Sequence, residues 1–435
     1  MTQDTSRRAA LRTIGAAAIS TQTHRILGAN DRINVAVVGI GGRGTGHVNE
    51  YMKLDCHMAA VCDVNQAAQE RAAALVERVK GHKPKVYGDM RQLFSDKDID
   101  AVSIATPNHW HALATIWACQ AGKDVYVEKP VCHNVWEGKK MIEAARKYQR
   151  MVQAGTQSRS TAHKIAAMKM LHEGAIGKIY MAKGLCYKRR DSIGRKPDQA
   201  TPPPGVDWEK FLGPAPLRPF NELRFRYNWH WFWDTGNGDI GNQGVHEMDI
   251  ALWGMGIKSF PKAAVSTGGK FVYDDDQETP NTQIATFDFG DRQVVFEVRG
   301  IVGPEEGPLK SRGGNVVGNI FYGSDGYLAV DGGGWWLYKG PKRELAAEGK
   351  ADRGDTSPHM DNFLKAIKSR KVEDLNADVA VNVLASDFCH LANISYRVGR
   401  KVTWDPARER FVGDAEADAL LTRKYRQPYV VPEKV

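Results

Sequence analysis

The chain has 435 residues, 42% of them hydrophobic, enough for large cores and two domains, and its composition is neither fibrous nor disordered. The formal charge is +9, but the first 28 residues carry Arg7, Arg8, Arg12 and Arg25 against Asp4 alone, a surplus of three that leaves +6 on the remainder. No apolar run approaches the roughly 20 residues that cross a bilayer, and the densest basic stretch, YKRRDSIGRK at 187–196, has no interleaved aromatics beyond Tyr187, so neither a membrane span nor a nucleic-acid partner is expected.

In chain order, residues 1–28 read first as an export signal: Arg7 and Arg8, then a short, weakly apolar stretch rich in small residues, similar to a twin-arginine leader. Ala10 stands where a bulky residue is usual. The expected destination is periplasmic or otherwise exported, and cytoplasmic if the leader does not function. From Ile33 to Val38 the pattern predicts a buried strand, followed by Gly39, Gly41 and Gly44 in G-x-G-x-x-G spacing, with Gly42 and Arg43 inside the loop. That spacing suits a tight turn, close approach of a pyrophosphate and packing of helix on strand. A second strand over HMAAVCDVN places Asp63 nineteen residues after Gly44, where a carboxylate accepts from an adenosine ribose and repels a 2′-phosphate, favouring NAD over NADP.

Strand-like DAVSIATP (100–107), DVYVEKP (124–130) and MVQAGTQ (151–157) alternate with helices, one after Asn108 and one that Asn134 and Glu137 can cap. The alternation predicts a doubly wound parallel sheet. From Lys178 the pattern changes to longer strand-like runs, KIYMAKGLCY, TQIATFDFG, RQVVFEVRGIV and GYLAVDG, which predict a large, mostly antiparallel open sheet; the proline-rich stretch 201–220 between them is the most irregular. The aromatic string YNWHWFWD alternates Tyr227, Trp229, Trp231 and Trp233 as the faces of a strand would, suiting either packing or stacking against sugar C–H faces, with His230 a further polar candidate. In GDIGNQGVHEMDIALWG, a helix starting near Ile240 places Val245, Met248, Leu252 and Met255 on one face and Asn242, His246 and Asp249 on another. The six cysteines show no C-x-x-C pair and no histidine at metal-ligand spacing, so neither a disulfide framework nor a metal site is expected.

Taken together, the glycine fingerprint, TPNHWH at 106–111, EKP at 128–130, GTQSRS at 155–160 and GVHEMD at 244–249 resemble the Gfo/Idh/MocA oxidoreductases over about residues 30–430, and the closing LANISYRVGRKVTWDP and KYRQPY look like an exported branch of that family. The resemblance implies a Rossmann domain (31–157), a substrate-binding and oligomerisation α/β domain (158–435) whose C-terminal helices are free to pack back on the first, a homodimer or tetramer, and nicotinamide chemistry on a sugar, polyol or glycoside. It implies Lys129 and His246 as catalytic residues, Lys129 lying beside the nicotinamide and Glu128 on the cofactor's ribose. Thr106, Pro107, Asn108, His111 and Gln157 complete the implied cofactor contacts, and Arg159, Trp229, His230, Trp233, Asn242 and Asp249 are the candidate substrate contacts. Where dehydrogenases of the family usually carry aspartate four residues before the histidine, this chain has Asn242, so His246 is expected to stay neutral unless Asp249 substitutes.

An exported enzyme cannot exchange NAD freely, so the leader and the resemblance together suggest a retained cofactor. They also suggest a redox-neutral cycle: hydride exchange, epimerisation, or transient sugar oxidation that permits elimination or hydrolysis. A non-catalytic sugar or dinucleotide sensor is the remaining alternative.

Overall fold

The computed structural model describes residues 32–351 and 356–435; the twin-arginine segment lies outside the described residues. The N-terminal half alternates β1 (Ile33–Val38), α1 (Gly42–Tyr51), β2 (Cys56–Cys62), α2 (Gln66–Lys80), β3 (Lys85–Tyr87), α3 (Met90–Ser95), β4 (Ala101–Ile104), α4 (His111–Gln120), β5 (Asp124–Val127), α5 (Val135–Lys147) and β6 (Val152–Ala154). All pairings in this sheet are parallel, in the order β3-β2-β1-β4-β5-β6. The order reverses between β1 and β4, and a ligand crevice opens beyond the strands' carboxyl ends at such a point. The strands are buried on both faces, which is why β1, β4 and β5 read as nearly unbroken apolar runs.

After α6 (Ala162–His172), β7 (Ile179–Tyr187), α7 (Trp208–Leu212), α8 (Gly238–Asn242) and α9 (Gly244–Gly254) come β8 (Ala263–Gly269), β9 (Thr282–Asp288), β10 (Gln293–Arg299), β11 (Val316–Gly323), β12 (Gly326–Asp331), β13 (Gly334–Lys339) and β14 (Glu344–Lys350). The chain closes with α10 (Ser357–Ser369), α11 (Val379–Val398), β15 (Val402–Asp405), β16 (Arg410–Phe411) and α12 (Ala415–Asp418). The ten-stranded sheet runs β14-β13-β12-β11-β7-β10-β9-β8-β15-β16 and is antiparallel except where β10 lies parallel to β7. Met168 and Leu171 of α6, Val245, Met248 and Leu252 of α9, and Phe388 and Leu391 of α11 bury one sheet face against Val294, Phe296, Phe321 and Leu328.

The last helices return to the first sheet. Met360, Phe363, Leu364 and Ile367 of α10 share a core with Val35, Val37 and Tyr126, and Val383 of α11 packs with Met141 and Ala144 of α5. All six cysteines are buried free thiols. Among the described residues no helix is long and apolar enough to cross a membrane.

Two expectations are corrected. The aromatic string is not a strand: Asn228–Trp231 is a turn of 3-10 helix, with Trp231 and Phe232, consecutive residues, both buried. The GDIGNQGVHEMD stretch is two helices meeting at Gln243 rather than one. At this join a Cβ on Gly244 would lie 2.6 Å from the Phe296 ring, so glycine there allows α9 to sit directly on β10.

Candidate active site

The glycine loop leads from β1 into α1. Gly39 has φ +84°, and a Cβ on Gly44 would fall 1.7 Å from the Gly39 carbonyl oxygen, so both positions require glycine for the turn to close on β4. Gly41 and Gly42 instead face open space, and α1 has no side-chain cap, leaving the backbone N–H groups of its first turn available to an anion. The Thr106 hydroxyl beside this loop is buried without a hydrogen-bond partner among the described residues. This cradle fits a dinucleotide pyrophosphate. Asp63, at the end of β2, accepts from Ile40 N at 2.5 Å and from Asn65 N at 2.9 Å; burial pushes its carboxyl up and these backbone donors pull it back.

Pro107 begins the turn after β4. The side chains there are tied to protein: Asn108 Nδ2 donates to Asn237 Oδ1, and His111 spans the Thr106 and Pro130 carbonyls at 2.8 and 2.7 Å. Glu128, expected on a ribose, has its carboxylate engaged by Arg43 Nε (2.8 Å), His47 Nε2 (2.9 Å) and Gln157 Nε2 (3.2 Å). Burial would raise its pKa, but Arg43 and His47 more than reverse that and hold it well below the usual range.

Lys129 projects from the same turn and donates through Nζ to the Asn242 carbonyl at 2.8 Å. Burial pushes its pKa down, with Glu128 and Asp239 opposing and Arg43 assisting. His246 is also pushed well down, by burial and then by the Lys129 charge, and is neutral near pH 7. The expected grouping around it does not form. Asn242 Nδ2 reaches Tyr227 OH (3.1 Å) and Asp239 Oδ1 (3.4 Å) rather than His246, because the break at Gln243 separates the two helices. Asp249 cannot substitute either, being clasped by Arg159 at 2.8 to 3.0 Å, which also neutralises Arg159 as a free substrate cation. His230, lowered by burial with a further contribution from Lys129, belongs to the cluster; Trp229 stacks on its ring. Trp233 lies elsewhere, against Tyr396 and Arg397.

Several groups of the site lie outside the sequence motifs. Asp239, paired with Arg190 at 2.7 Å, supplies near Lys129 the negative charge that position 242 lacks; its place in the same glycine-rich stretch was the available signal. Glu247 and Lys164 line a cavity of about 310 Å³ together with His246, Ser158, Gln243 and Arg312. Burial pushes Glu247 up and Lys164 down. The irregular proline-rich stretch folds over β2 and α2, with Asp207 N donating to Val64 O and Gln66 N to Gly205 O, and it borders a cavity of about 780 Å³ near Asp63 lined by Val64, Gln69, Gly88, Trp208 and Lys210. Nothing local in its sequence announces that contact.

Sheet order, glycine cradle and a half-buried lysine define a dinucleotide-binding enzyme fold with a second, substrate-side sheet. The chain belongs to the Gfo/Idh/MocA oxidoreductase family: residues 33–156 match its NAD-binding Rossmann fold, and residues 160–263 and 327–431 its C-terminal alpha/beta domain. Among solved structures, a putative NADPH-dependent oxidoreductase of Desulfitobacterium hafniense superposes with a TM-score of 0.65 at 15% identity, covering 86% of this chain and 98% of that one. The WlbA dehydrogenase of Chromobacterium violaceum, in complex with NADH and UDP-GlcNAcA, gives 0.64 at 18% identity over 88% and 99%. In sequence, an alpha-N-acetylgalactosaminidase of Shewanella oneidensis is 31% identical over 152 residues, 34% of this chain and 33% of that protein. The chain thus spans about a third of the length of the curated relatives it matches.

Proposed function

We propose that this protein transfers hydride between a carbohydrate C–OH carbon and a nicotinamide cofactor, on a sugar, polyol or glycoside. The observation that carries the reading is Lys129: a half-buried amine of lowered basicity, steered by a backbone carbonyl, beside a dinucleotide cradle and the neutral His246. The cofactor, when bound, supplies the hydride acceptor. Lys129 in its neutral form takes the hydroxyl proton as the C–H bond breaks, and the neutral His246 orients the substrate by hydrogen bonding to a neighbouring oxygen. Gly39, Gly41, Gly42 and Gly44 receive the pyrophosphate, while Asp63 favours NAD over NADP by facing the ribose. The open face of the ten-stranded sheet joins copies in a dimer or tetramer.

A second reading is a net glycoside cleavage or epimerisation through transient oxidation with a retained cofactor. The Shewanella glycosidase similarity and the loop folded over the Asp63 end support it. It accords with export through the twin-arginine leader. The test is to purify the protein, record any retained nicotinamide absorbance, and follow it against a panel of sugars and glycosides. Reduction by free sugars supports the first reading, and product release without net reduction the second; a bound cofactor inert to the whole panel contradicts both.

A further inference from the structure

The turn that presents Lys129 continues through Val131 and Cys132 and is buried against α11, with Val131 N donating to Ser386 Oγ at 3.3 Å. On α11, Asp387 and His390 are three residues apart and therefore share a helix face. Cys132 Sγ lies 3.5 Å from His390 Nε2, and the ligand atoms of Cys132, Asp387 and His390 all lie within 4.8 Å of one another. The three residues are 0%, 4% and 4% exposed. No part of the proposed hydride transfer uses them.

The carboxylate is the unexplained member. Asp387 Oδ1 is sealed from solvent with no hydrogen-bond partner among the described residues, an omission that is costly for a buried polar atom and more so for a charge. A thiol–imidazole hydrogen bond accounts for Cys132 and His390 but leaves Asp387 orphaned.

We propose that Cys132, Asp387 and His390 bind a zinc ion that fastens the Lys129 turn to α11. A thiolate, a carboxylate and a neutral imidazole around a divalent ion sum to zero charge, the form in which a buried ionic cluster is least costly. Mixed sulfur, nitrogen and oxygen donors suit zinc. Tetrahedral bonds of about 2.3 Å to sulfur and about 2.0 Å to nitrogen put the two donors roughly 3.5 Å apart, the separation already present here. Three protein ligands leave a fourth position for water. Cys132 and the α11 pair are more than 250 positions apart in sequence, so no local ligand spacing announces the site.

The experiment is elemental analysis of the full chain purified without chelator from zinc-supplemented medium. About one zinc per chain is expected in the wild type, falling at least tenfold in Cys132→Ser and His390→Ala. If a variant fails to fold, the wild type alone decides: after zinc removal by a chelator, added cobalt(II) gives a thiolate-to-cobalt charge-transfer band and tetrahedral ligand-field bands. Folded wild type without stoichiometric metal and without that cobalt spectrum overturns the site. So does a Cys132→Ser protein that retains the full zinc content.

Discussion

Lys129 and the residues that set its proton affinity are where chemistry and structure meet most closely. Its neutral form exists above a pKa lowered from the lysine value of 10.5, so the rate of alcohol oxidation should rise with pH and level off at a pH below that value. Asp239→Asn removes a carboxylate that favours the ammonium, and the rise should move to lower pH; a displacement to higher pH contradicts the assignment. Lys129→Met should lower turnover by roughly 100 to 10,000-fold while NADH titration shows binding near wild type. Asn242→Asp sets a new carboxylate against Asp239 and the Lys129 contact rather than against His246, so the displaced midpoint should be that of Lys129, to higher pH, and should vanish in the Lys129→Met background. At this scale the sequence was legible for motif residues held by their own turn, such as the Gly44 contact and Lys129. It was not legible for pairings decided by tertiary packing: Arg159 with Asp249, Arg43 with Glu128, and Arg190 with Asp239 join segments 49 to 90 residues apart.

The strand-loop-helix that opens the first sheet separates two jobs usually credited to one motif. Gly44→Ala collides with backbone, which has little freedom to move, and should cost about 1–3 kcal/mol of stability together with cofactor binding. Gly41→Ala meets nothing within 4 Å and should leave the thermal midpoint unchanged while weakening dinucleotide binding measured by calorimetry. Equal loss of stability in both would mean that the open side of the loop is not a ligand face. Strands of the first sheet were readable because burial on both faces leaves continuous apolar runs. The alternating large rings of the aromatic string suit a strand's period, yet the segment is a 3-10 turn in which the consecutive Trp231 and Phe232 are both buried. The stretch 238–254 is helical as expected but broken at Gln243, where a Cβ on Gly241 or Gly244 would collide with Asn237 or Phe296.

Across the whole molecule, α10 and α11 lock the second half of the chain into the core of the first, an arrangement that hydrophobic period alone does not reveal. His109 and His359, held by burial at about 3 and about 4, should make the protein acid-labile: an unfolded chain gains protons near pH 6.5 that the folded chain refuses, so stability falls as pH drops from there. Each contributes a slope of up to about 1.4 kcal/mol per pH unit, and denaturant melts between pH 7 and 5 should show it, reduced in His359→Gln. Val265 and Ile284, 40% and 46% exposed on neighbouring strands, should be covered in the oligomer; light scattering should give a multimer for the wild type and monomers for Val265→Arg with Ile284→Arg. The most direct measurement of the central reading is a single-turnover reaction of the nicotinamide-loaded protein with a carbohydrate deuterated at the reacting carbons of its ring, followed by mass analysis of the cofactor. Deuterium on the nicotinamide in wild type and none in Lys129→Met is predicted. Oxidised product formed with no deuterium on the cofactor would contradict hydride transfer at this site.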